Sequence, residues 1–500
     1  MPDMDEMPAK AGPAPAAPLR QPPISPSVAI LGVPLDCLTL AETVNRIDEM
    51  ITSRQPHYIV TANVDFLVQA RHDVELRRIL LNARLALCDG TPLVWASRLL
   101  GNPLPERVAG SDLVPLLLEL AARKGYRPFF LGGTPEVAAQ AVANVRRLYP
   151  TLDVAGYYSP PFKPMLEMDH DEIAQRIREA KPDLLFVCFG CPKSEKWMAM
   201  HYESLGVPVS IGVGATIDFL AEQKKRAPRW MQRAGLEWTF RLMQEPRRLG
   251  PRYATDLCDF SSAILAQWWQ MRAPAHDANT PEEPAPILVE PTWLRFRAPE
   301  RFDAASLQRN DASWRVASEA KRHCLIDLAG VRFIDSVAFG FLMRLNKRLR
   351  SSGHCLVLVT PGDCVRRVLR LARLEDYFLV ASDALEAKEL IWQCQEASSP
   401  VSVDLTGALA WQGEVTAANT TEVWNLTKPR LDILARQHSQ FSIDISNLRF
   451  IDSSGVGLMI RAWRRARERD ATLYFASAQP NVRNVLRLAK LERVLLRDIS

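Results

Sequence analysis

The sequence predicts an α/β protein in which a large parallel-sheet domain precedes two copies of a smaller α/β domain. In the first half of the chain, short apolar runs alternate with amphipathic segments, which is typical of parallel strands joined by helices. In the second half, one block of motifs returns at a constant spacing, which indicates a duplicated domain. A stretch rich in proline and alanine, 273–286, separates the halves.

Composition and charge narrow the class of protein. Apolar residues make up 47% and charged residues 24% of the 500 residues, which is ordinary for a globular protein of several domains. No run reaches the roughly 18–20 uninterrupted apolar residues of a membrane span, and the N-terminus lacks the apolar core of a secretory signal. Nine irregularly spaced cysteines fit a reducing compartment, so we expect a cytoplasmic protein. The net charge of +5 is too small to predict nucleic-acid binding.

The pattern divides the chain into five segments. Residues 1–27 are rich in proline and alanine and lack periodicity, so we expect a disordered tail. The sheet domain is expected at 28–255, and a helix followed by a linker at 256–286. The two smaller domains are expected at 287–396 and 400–500.

Five apolar runs are the expected strands of the sheet domain, at 58–63, 84–90, 127–133, 183–190 and 207–214. Because nearly every position in them is apolar, helices should cover both faces of the sheet. Such sheets bind ligands beyond the carboxyl ends of their strands, which is where polar residues and glycines end these runs. Those residues are Thr61, Asn63, Asp89, Gly90, Gly132, Gly133, Gly190, Gly212 and Gly214. We therefore expect the site at this edge, where glycine N–H groups at helix starts can hold phosphate.

Seven motifs follow one another in this domain: TANVDFL (61–67), LALCDGTPLVWASRLLG (85–101), ERVAGSDL (106–113), FLGG (130–133), FGCPKSEKW (189–197), GVGATIDFLA (212–221) and RAPRWMQRAGLEWTFRLMQEPRRLGPRY (226–253). Together they resemble the WecG/TagA/CpsF glycosyltransferase family. The resemblance implies a Rossmann-like domain that moves a sugar from a UDP-sugar to a polyprenyl-diphosphate-linked acceptor and inverts the anomeric centre. It also implies cell-surface polysaccharide biosynthesis at the inner membrane face, with N-acetylmannosamine, its uronic acid or glucose as the donor sugar.

The resemblance assigns catalytic roles to four residues. Asp89 falls on the position of the general base, Arg107 on an essential arginine, and Thr61 and Asn63 on positions that shape the substrate pocket. These residue types suit the chemistry, since an inverting transfer needs a carboxylate to accept the proton of the acceptor hydroxyl. An arginine can bind the leaving diphosphate through two parallel hydrogen bonds. Taken singly, each would be an ordinary turn, cap or surface residue, so the order of the motifs carries the assignment.

Nine further residues are expected to bind substrate: Gly132, Gly133, Gly190, Ser194, Glu195, Gly212, Gly214, Arg226 and Arg229. Ser194 departs from the family, which has glutamine there in a G-x-P-K-Q-E motif and is thought to contact substrate through it. Serine has a shorter reach and a single donor, so a different sugar, a weaker enzyme or an inactive one would fit. An alternative function is therefore a catalytically inactive UDP-sugar sensor that acts through the C-terminal domains.

No cofactor and no metal are expected, and UDP-sugar is the donor substrate. Asp169 and Asp171 have the D-x-D spacing of metal-dependent glycosyltransferases, but they precede a helical pattern and are interpreted as an N-cap with first-turn acids. Cys188 and Cys191 form a lone C-x-x-C that is interpreted as packing. A nicotinamide enzyme is disfavoured, because no G-x-G-x-x-G follows the early strands.

Basic and aromatic residues are interleaved over 224–252, which suits an anionic interface. By resemblance this is an appendage that helps membrane docking and lends arginines to the active site. Trp268 and Trp269 mark 260–271 as an interfacial helix. The alternative is a charged helix that packs its aromatic residues on the core. The expected partner is a membrane surface, not nucleic acid.

The duplication in the second half is shown by VRFIDS (331–336) and LRFIDS (448–453), and by VLRLA at 368–372 and again at 485–489. The copies are related by one constant shift, which carries Ser336 onto Ser453. Each copy resembles a STAS domain, the fold of anti-sigma-factor antagonists, with a strand that ends in Asp-Ser before a helix.

The resemblance makes Ser453 the phosphorylatable position and Ser336 its counterpart. The second copy matches better, because it keeps D-S-S-G at 452–455. A phosphate at a helix N-terminus adds a charge of about −2 and can switch a protein contact, so a separate serine kinase or an anti-sigma-type partner is expected. The alternative, strongest for Ser336, is that Asp-Ser only caps its helix.

Overall fold

The computed structural model describes residues 26–224, 226–233, 235–271, 287–289, 293–319, 321–375, 377–396, 399–403 and 408–497. The stretch 273–286 and nearly all of the expected tail at 1–27 lie outside these residues.

The N-terminal domain begins with a hairpin and continues as alternating strands and helices. Its elements are β1 (Ser27–Ile30), β2 (Val33–Asp36), α1 (Leu40–Ser53), β3 (His57–Ala62), α2 (Val64–Ala70), α3 (Val74–Asn82), β4 (Leu85–Cys88), α4 (Thr91–Leu99), α5 (Gly110–Lys124), β5 (Pro128–Gly132), α6 (Pro135–Leu148), β6 (Gly156–Tyr158), a 3-10 turn (Met165–Glu167), α7 (His170–Ala180), β7 (Leu184–Cys188), α8 (Lys193–Leu205), β8 (Val209–Gly212), α9 (Thr216–Leu220), α10 (Arg229–Arg233), α11 (Glu237–Gln244) and α12 (Pro246–Gln270).

Six of these strands form one sheet in the order β4-β3-β8-β7-β5-β6, and every pair in it is parallel. Alternate residues of each strand enter two separate cores, one on each face of the sheet. Along β5, for example, Phe130 belongs to one core, whereas Phe129 and Leu131 belong to the other. The predicted parallel sheet covered on both faces is confirmed, and all its strands end at the same edge.

The next domain contains β9 (Ile287–Val289), β10 (Trp293–Arg297), β11 (Arg301–Phe302), α13 (Ala304–Arg309), α14 (Asp311–Glu319), β12 (His323–Asp327), β13 (Phe333–Ile334), α15 (Ser336–Ser351), β14 (Leu356–Val359), α16 (Asp363–Leu371), β15 (Leu379–Ala381) and α17 (Ala384–Glu396). The last domain contains β16 (Val401–Val403), β17 (Leu409–Trp411), β18 (Gly413–Val415), α18 (Thr420–Gln437), β19 (Gln440–Asp444), β20 (Leu448–Ile451), α19 (Ser453–Arg467), β21 (Thr472–Ala476), α20 (Pro480–Leu488), α21 (Glu492–Leu495) and β22 (Leu496–Arg497).

The two C-terminal domains repeat one architecture, as the sequence predicts. Their main sheets run β15-β14-β12-β10-β9 and β22-β21-β19-β17-β16, each with an antiparallel edge strand next to parallel ones. The equivalent helices α15 and α19 begin at Ser336 and Ser453. Asp335 caps α15 by accepting from the Val337 and Ala338 N–H groups, and Asp452 caps α19 by accepting from the Gly455 N–H.

One helix, α12, joins the basic segment to the predicted interfacial segment, so the boundary expected at 255/256 falls inside it. Phe260, Ile264 and Gln267 are buried on one side, and the Gln267 amide bonds to the backbone of the β1–β2 hairpin. Leu265 and Trp269 are exposed on the other side. The helix is therefore anchored on the core and still presents apolar groups. In the part of the chain that the structure describes, none of the helices is apolar enough over a sufficient length to cross a bilayer.

Candidate active site

The predicted site residues come together along the carboxyl edge of the parallel sheet. Asp89 follows β4, Thr61 lies in β3 next to it, and Gly212 ends β8. Gly190 follows β7 and Gly132 ends β5. Because these five strands are adjacent and parallel, their carboxyl ends form one continuous edge.

Asp89 lies at the β4 end of this edge, and its backbone N–H donates to the Ala62 carbonyl over 2.8 Å. Burial raises the pKa of Asp89 to about 6, an effect that Arg241 and Arg107 oppose and Glu237 reinforces. A carboxylate with this pKa is ionised at neutral pH and yet basic enough to accept a proton. These properties suit a general base.

A cluster of arginines and carboxylates surrounds Asp89. Arg107 donates to Asp112 over 2.6 Å and to Glu237 over 2.9 Å. Arg226 donates to Asp112 over 2.8 Å, and Arg241 donates to Glu237 over 2.9 Å. Three guanidinium groups thus converge from the α4–α5 connection, the segment before α10, and α11. Since arginine binds phosphate as readily as carboxylate, a diphosphate could replace Asp112 or Glu237 as their partner.

Glu237 is the member of this cluster that the sequence reasoning missed, and Arg241 was expected only as part of the basic segment. The two residues are four apart on α11 and form an ion pair. That spacing is the signal in the sequence, although it is also the ordinary pattern of a solvent-facing helix pair. Glu237 is 6% exposed, so its carboxylate is turned away from solvent, whereas the Arg241 side chain is 41% exposed.

Thr61 and Asn63 shape the edge through the backbone. The Thr61 hydroxyl donates to the Gly212 carbonyl over 2.9 Å, which ties the end of β3 to that of β8. The Asn63 side chain caps α2 by accepting from the Phe66 N–H over 3.3 Å. Their predicted roles in shaping the pocket stay predictions.

The glycines at this edge allow close approach of neighbouring groups. A Cβ at Gly212 would lie 2.6 Å from Oε1 of Glu195. A Cβ at Gly132, which has φ +109°, would lie 3.0 Å from the Cys188 carbonyl group. Gly133, Gly190 and Gly214 also have positive φ, and the binding of phosphate by these glycines remains a prediction.

Ser194 and Glu195 are buried next to this edge, and their predicted roles in substrate binding stay predictions. Ser194 is 1% exposed, and its hydroxyl accepts from the Phe189 N–H over 3.0 Å. The turn before α8 thus uses the hydroxyl for its own backbone. Glu195 is also buried, and its Oε2 has no hydrogen-bond partner among the described residues. Burial raises the pKa of Glu195 to about 8.

The remaining expectations for the site have different outcomes. Arg229 begins α10, but its side chain lies outside the described part of the structure, so its role stays a prediction. Asp169 caps α7 by accepting from the Glu172 N–H over 3.0 Å, as predicted. Among the described residues, no group of three or more His, Cys, Asp or Glu side chains could hold a metal ion.

The two candidate switch serines lie in different surroundings. Ser336 is 0% exposed, and its hydroxyl accepts from Asn102 of the N-terminal domain over 3.0 Å. Its hydroxyl is therefore buried between two domains, and its role as a switch stays a prediction. Ser453 is only partly buried, and its hydroxyl donates to Glu75 over 2.8 Å.

Comparison with known families assigns the three domains. A model of the "Glycosyl transferase WecG/TagA/CpsF family" matches residues 28–274. A "STAS domain" model matches residues 289–389, and an "Mlab, STAS domain" model matches residues 394–497.

Curated relatives match the first of these domains. One is an N-acetylglucosaminyldiphosphoundecaprenol N-acetyl-beta-D-mannosaminyltransferase of Bacillus spizizenii, 34% identical over 203 residues, which are 40% of this chain and 77% of the relative. A protein of the same name from Staphylococcus aureus is 30% identical over 225 residues, which are 45% of this chain and 87% of the relative.

Among solved structures, an anti-sigma-factor antagonist (STAS) domain protein from Planctomyces limnophilus is similar at 20% identity and a TM-score of 0.21. The match covers 22% of this chain and 99% of that one. A putative anti-sigma factor antagonist from Thermotoga maritima is similar at 21% identity and a TM-score of 0.19, over 22% of this chain and 94% of that one.

Proposed function

Because the chain belongs to the WecG/TagA/CpsF glycosyltransferase family and carries two STAS domains behind the family domain, we propose that it moves a sugar from a UDP-sugar to a polyprenyl-diphosphate-linked acceptor. The observation that carries this proposal is the position of Asp89 on the sheet edge, close to Arg107 and Arg241. The relatives are named as N-acetylmannosaminyltransferases that act on N-acetylglucosaminyl-diphosphoundecaprenol. An N-acetylmannosamine donor is therefore the first candidate, and a hexose the second.

In the proposed reaction, Asp89 accepts the proton of the acceptor hydroxyl while that oxygen attacks the anomeric carbon. The bond between the anomeric carbon and the UDP oxygen breaks, and UDP leaves with the electron pair. Arg107, Arg226 and Arg241 neutralise the diphosphate as its charge develops. In this scheme guanidinium groups do the work that a metal ion does in other glycosyltransferases, and no cofactor is required.

The alternative function, an inactive UDP-sugar sensor, drew its support from serine at position 194. The Ser194 hydroxyl is buried and bonded to the backbone of its own turn, so its chemistry does not argue against catalysis. The two functions are separated by incubating the full chain with UDP-N-acetylmannosamine, its uronic acid and UDP-glucose in the presence of a lipid-diphosphate-linked N-acetylglucosamine acceptor. Transfer from one donor supports the enzyme, whereas donor binding with no transfer from any supports the sensor.

We further propose that the protein works in the cytoplasm, at the inner membrane face, where a lipid-linked acceptor lies. Support comes from exposed apolar side chains on α10 to α12, including Trp230 at 65% exposed, Met243 at 72% and Trp269 at 68%. Several basic residues of this segment are engaged with carboxylates, as Lys224 is with Asp218 and Glu245. Aromatic insertion is therefore the expected main contribution to membrane binding.

The STAS domains are proposed to regulate or localise the transferase. A separate serine kinase or an anti-sigma-type protein is the proposed external partner, and Ser453 is its proposed target. This choice is favoured by the exposure of Ser453 relative to Ser336.

A further inference from the structure

Both STAS domains contact the transferase domain through the same structural feature, the Asp-Ser start of a helix. In the first domain, Asn102 donates to Asp335 over 3.1 Å and to Ser336 over 3.0 Å. In the second, Glu75 accepts from the Ser453 N–H over 2.6 Å and from the Ser453 hydroxyl over 2.8 Å. The two contacts are equivalent in the STAS fold, but the first transferase partner is neutral and the second is acidic.

The first contact belongs to a tightly closed interface. Arg344 of α15 pairs with Asp36 over 2.6 Å, and both side chains are almost completely buried. Gly340 of the same helix packs against the Ser27 backbone so closely that a Cβ would lie 2.7 Å from the Ser27 carbonyl oxygen. These contacts hold the first STAS domain independently of any charge on Ser336.

The second contact is centred on one buried carboxylate. Glu75 is 3% exposed and accepts from two donors of Ser453 and from the Lys196 ammonium group, which lies 2.8 Å away. Lys196 also pairs with Asp73 over 2.7 Å. The Glu75 carboxylate thus accepts hydrogen bonds from the first residue of α19 and also forms an ion pair with a lysine of the transferase domain.

The polar contacts around Glu75 are less buried than those of the first interface. Arg78 pairs with Glu414 of the second STAS domain over 3.0 Å and stacks on Phe450, with the guanidinium carbon 3.7 Å from the ring centre. Asn484 donates to the His72 carbonyl over 3.3 Å. Removal of the bonds at Ser453 would leave these contacts of Arg78 and Asn484 to hold the second STAS domain.

The second contact also borders the transferase site. Lys196 follows Glu195 in the first turns of α8, and Glu195 lies against Gly212 at the end of β8. Glu75 belongs to α3, which packs against α8. A change at Ser453 therefore acts on the helix that supports one part of the sheet edge.

We propose that Ser453, Glu75 and Lys196 form a charge-sensitive latch, so that the binding partner of the second STAS domain is the transferase domain of the same chain. A negative charge on Ser453 opens the latch, because it faces the buried Glu75 carboxylate and removes the hydroxyl donor. Phosphorylation would do this by forming an Oγ–P bond with the terminal phosphoryl group of ATP, releasing ADP and the hydroxyl proton. This inference rests on the proposed regulatory role of the STAS pair and not on transferase activity.

The test is hydrogen exchange on the full chain without substrate, since the Ser453 N–H is itself bonded to Glu75. In Ser453→Asp, residues 453–456 and the start of α3 should exchange at least about tenfold faster than in the wild type, because like charges meet in a buried contact. Ser453→Ala, which removes only the hydroxyl donor, should give a smaller increase. The control is Ser439→Asp, which adds the same charge at an exposed serine just before β19.

A second substitution tests whether charge is the cause. Adding Glu75→Gln to Ser453→Asp should restore slow exchange, because the introduced carboxylate then faces an amide and can pair with Lys196. The latch is contradicted if Ser453→Asp exchanges like the wild type, if Ser439→Asp accelerates exchange equally, or if Glu75→Gln gives no rescue while thermal unfolding shows a folded protein. A chain that transfers no sugar but shows this response would overturn the proposed activity and keep the latch.

Discussion

At the scale of single residues, the proposed chemistry depends on how the protein sets the basicity of Asp89. Burial raises the pKa of this carboxyl, and Arg241 and Arg107 limit the rise. In the proposed mechanism the same arginines receive the diphosphate, so donor binding would be electrostatically linked to the base strength of Asp89. Binding of an anionic donor would weaken the effect of the arginines and make Asp89 more basic.

The pH dependence of transfer follows from this pKa. Because a general base must be ionised, kcat/KM should fall about tenfold for each pH unit below about 6 and stay level between pH 7 and 8. The measurement is the initial rate of transfer at low donor concentration, with Asp169→Asn as a control that removes a helix-capping carboxyl. A rate that does not change between pH 5 and pH 7 would exclude Asp89 as the titrating base.

Residue-level prediction from sequence succeeded where position along a strand determines placement, as it does for Asp89. The sequence does not predict the orientation of a side chain. Ser194 occupies a motif position, but the direction of its hydroxyl depends on the turn that precedes α8, which no spacing reveals. Glu237 was missed because a charged residue in an amphipathic helix usually faces solvent.

At the scale of elements, the equivalent helices α15 and α19 pack differently against their neighbours. Gly340 lies on the side of α15 that meets β1, whereas Gly457 of α19 has open space where a Cβ would be, with no atom within 4 Å. Both glycines stand inside helices, where glycine normally costs stability. Only at Gly340 does a neighbouring element leave no room for a side chain.

This difference predicts opposite effects of the same substitution. Gly340→Ala should destabilise the chain by about 1–3 kcal/mol, since its Cβ would strike the Ser27 backbone. Gly457→Ala should stabilise it by about 0.5–1 kcal/mol through helix propensity. Denaturant unfolding of the two variants measures both effects, and a stabilising Gly340→Ala would contradict the docking of α15 on the hairpin.

The elements from α10 to α12 predict how the protein meets a membrane. Removing the whole segment is a poor test, because α12 buries Phe260 and Ile264 in the core. Replacing Trp230 and Trp269 by Ala should instead lower sedimentation with anionic liposomes at low salt, while leaving the fold intact. Trp392→Ala is the control, since this residue is 59% exposed on a different domain. Unchanged sedimentation of the double variant would refute aromatic insertion.

At the scale of the whole molecule, the fold could be predicted from the sequence and the arrangement of the domains could not. Apolar strands, ordered motifs and a constant shift between copies identified the three domains. Their docking depends on Asn102, Glu75 and Arg344, which look like ordinary surface residues in the sequence, although Arg344 returns as Arg461 in the second copy. Interfaces between domains depend on surface complementarity, which the periodicity of apolar residues does not predict.

The complete molecule is thus a transferase domain in contact with two STAS domains, and we propose that Asp89 is the base in its sugar transfer. The most direct measurement is the initial rate of transfer from UDP-N-acetylmannosamine to lipid-diphosphate-linked N-acetylglucosamine by the full chain and by Asp89→Asn. We expect transfer by the wild type and a loss of about 10²–10⁴-fold in kcat in the variant. A variant that keeps the wild-type rate would contradict the assignment of Asp89, and a wild type that binds the donor without transferring its sugar would contradict the proposed activity.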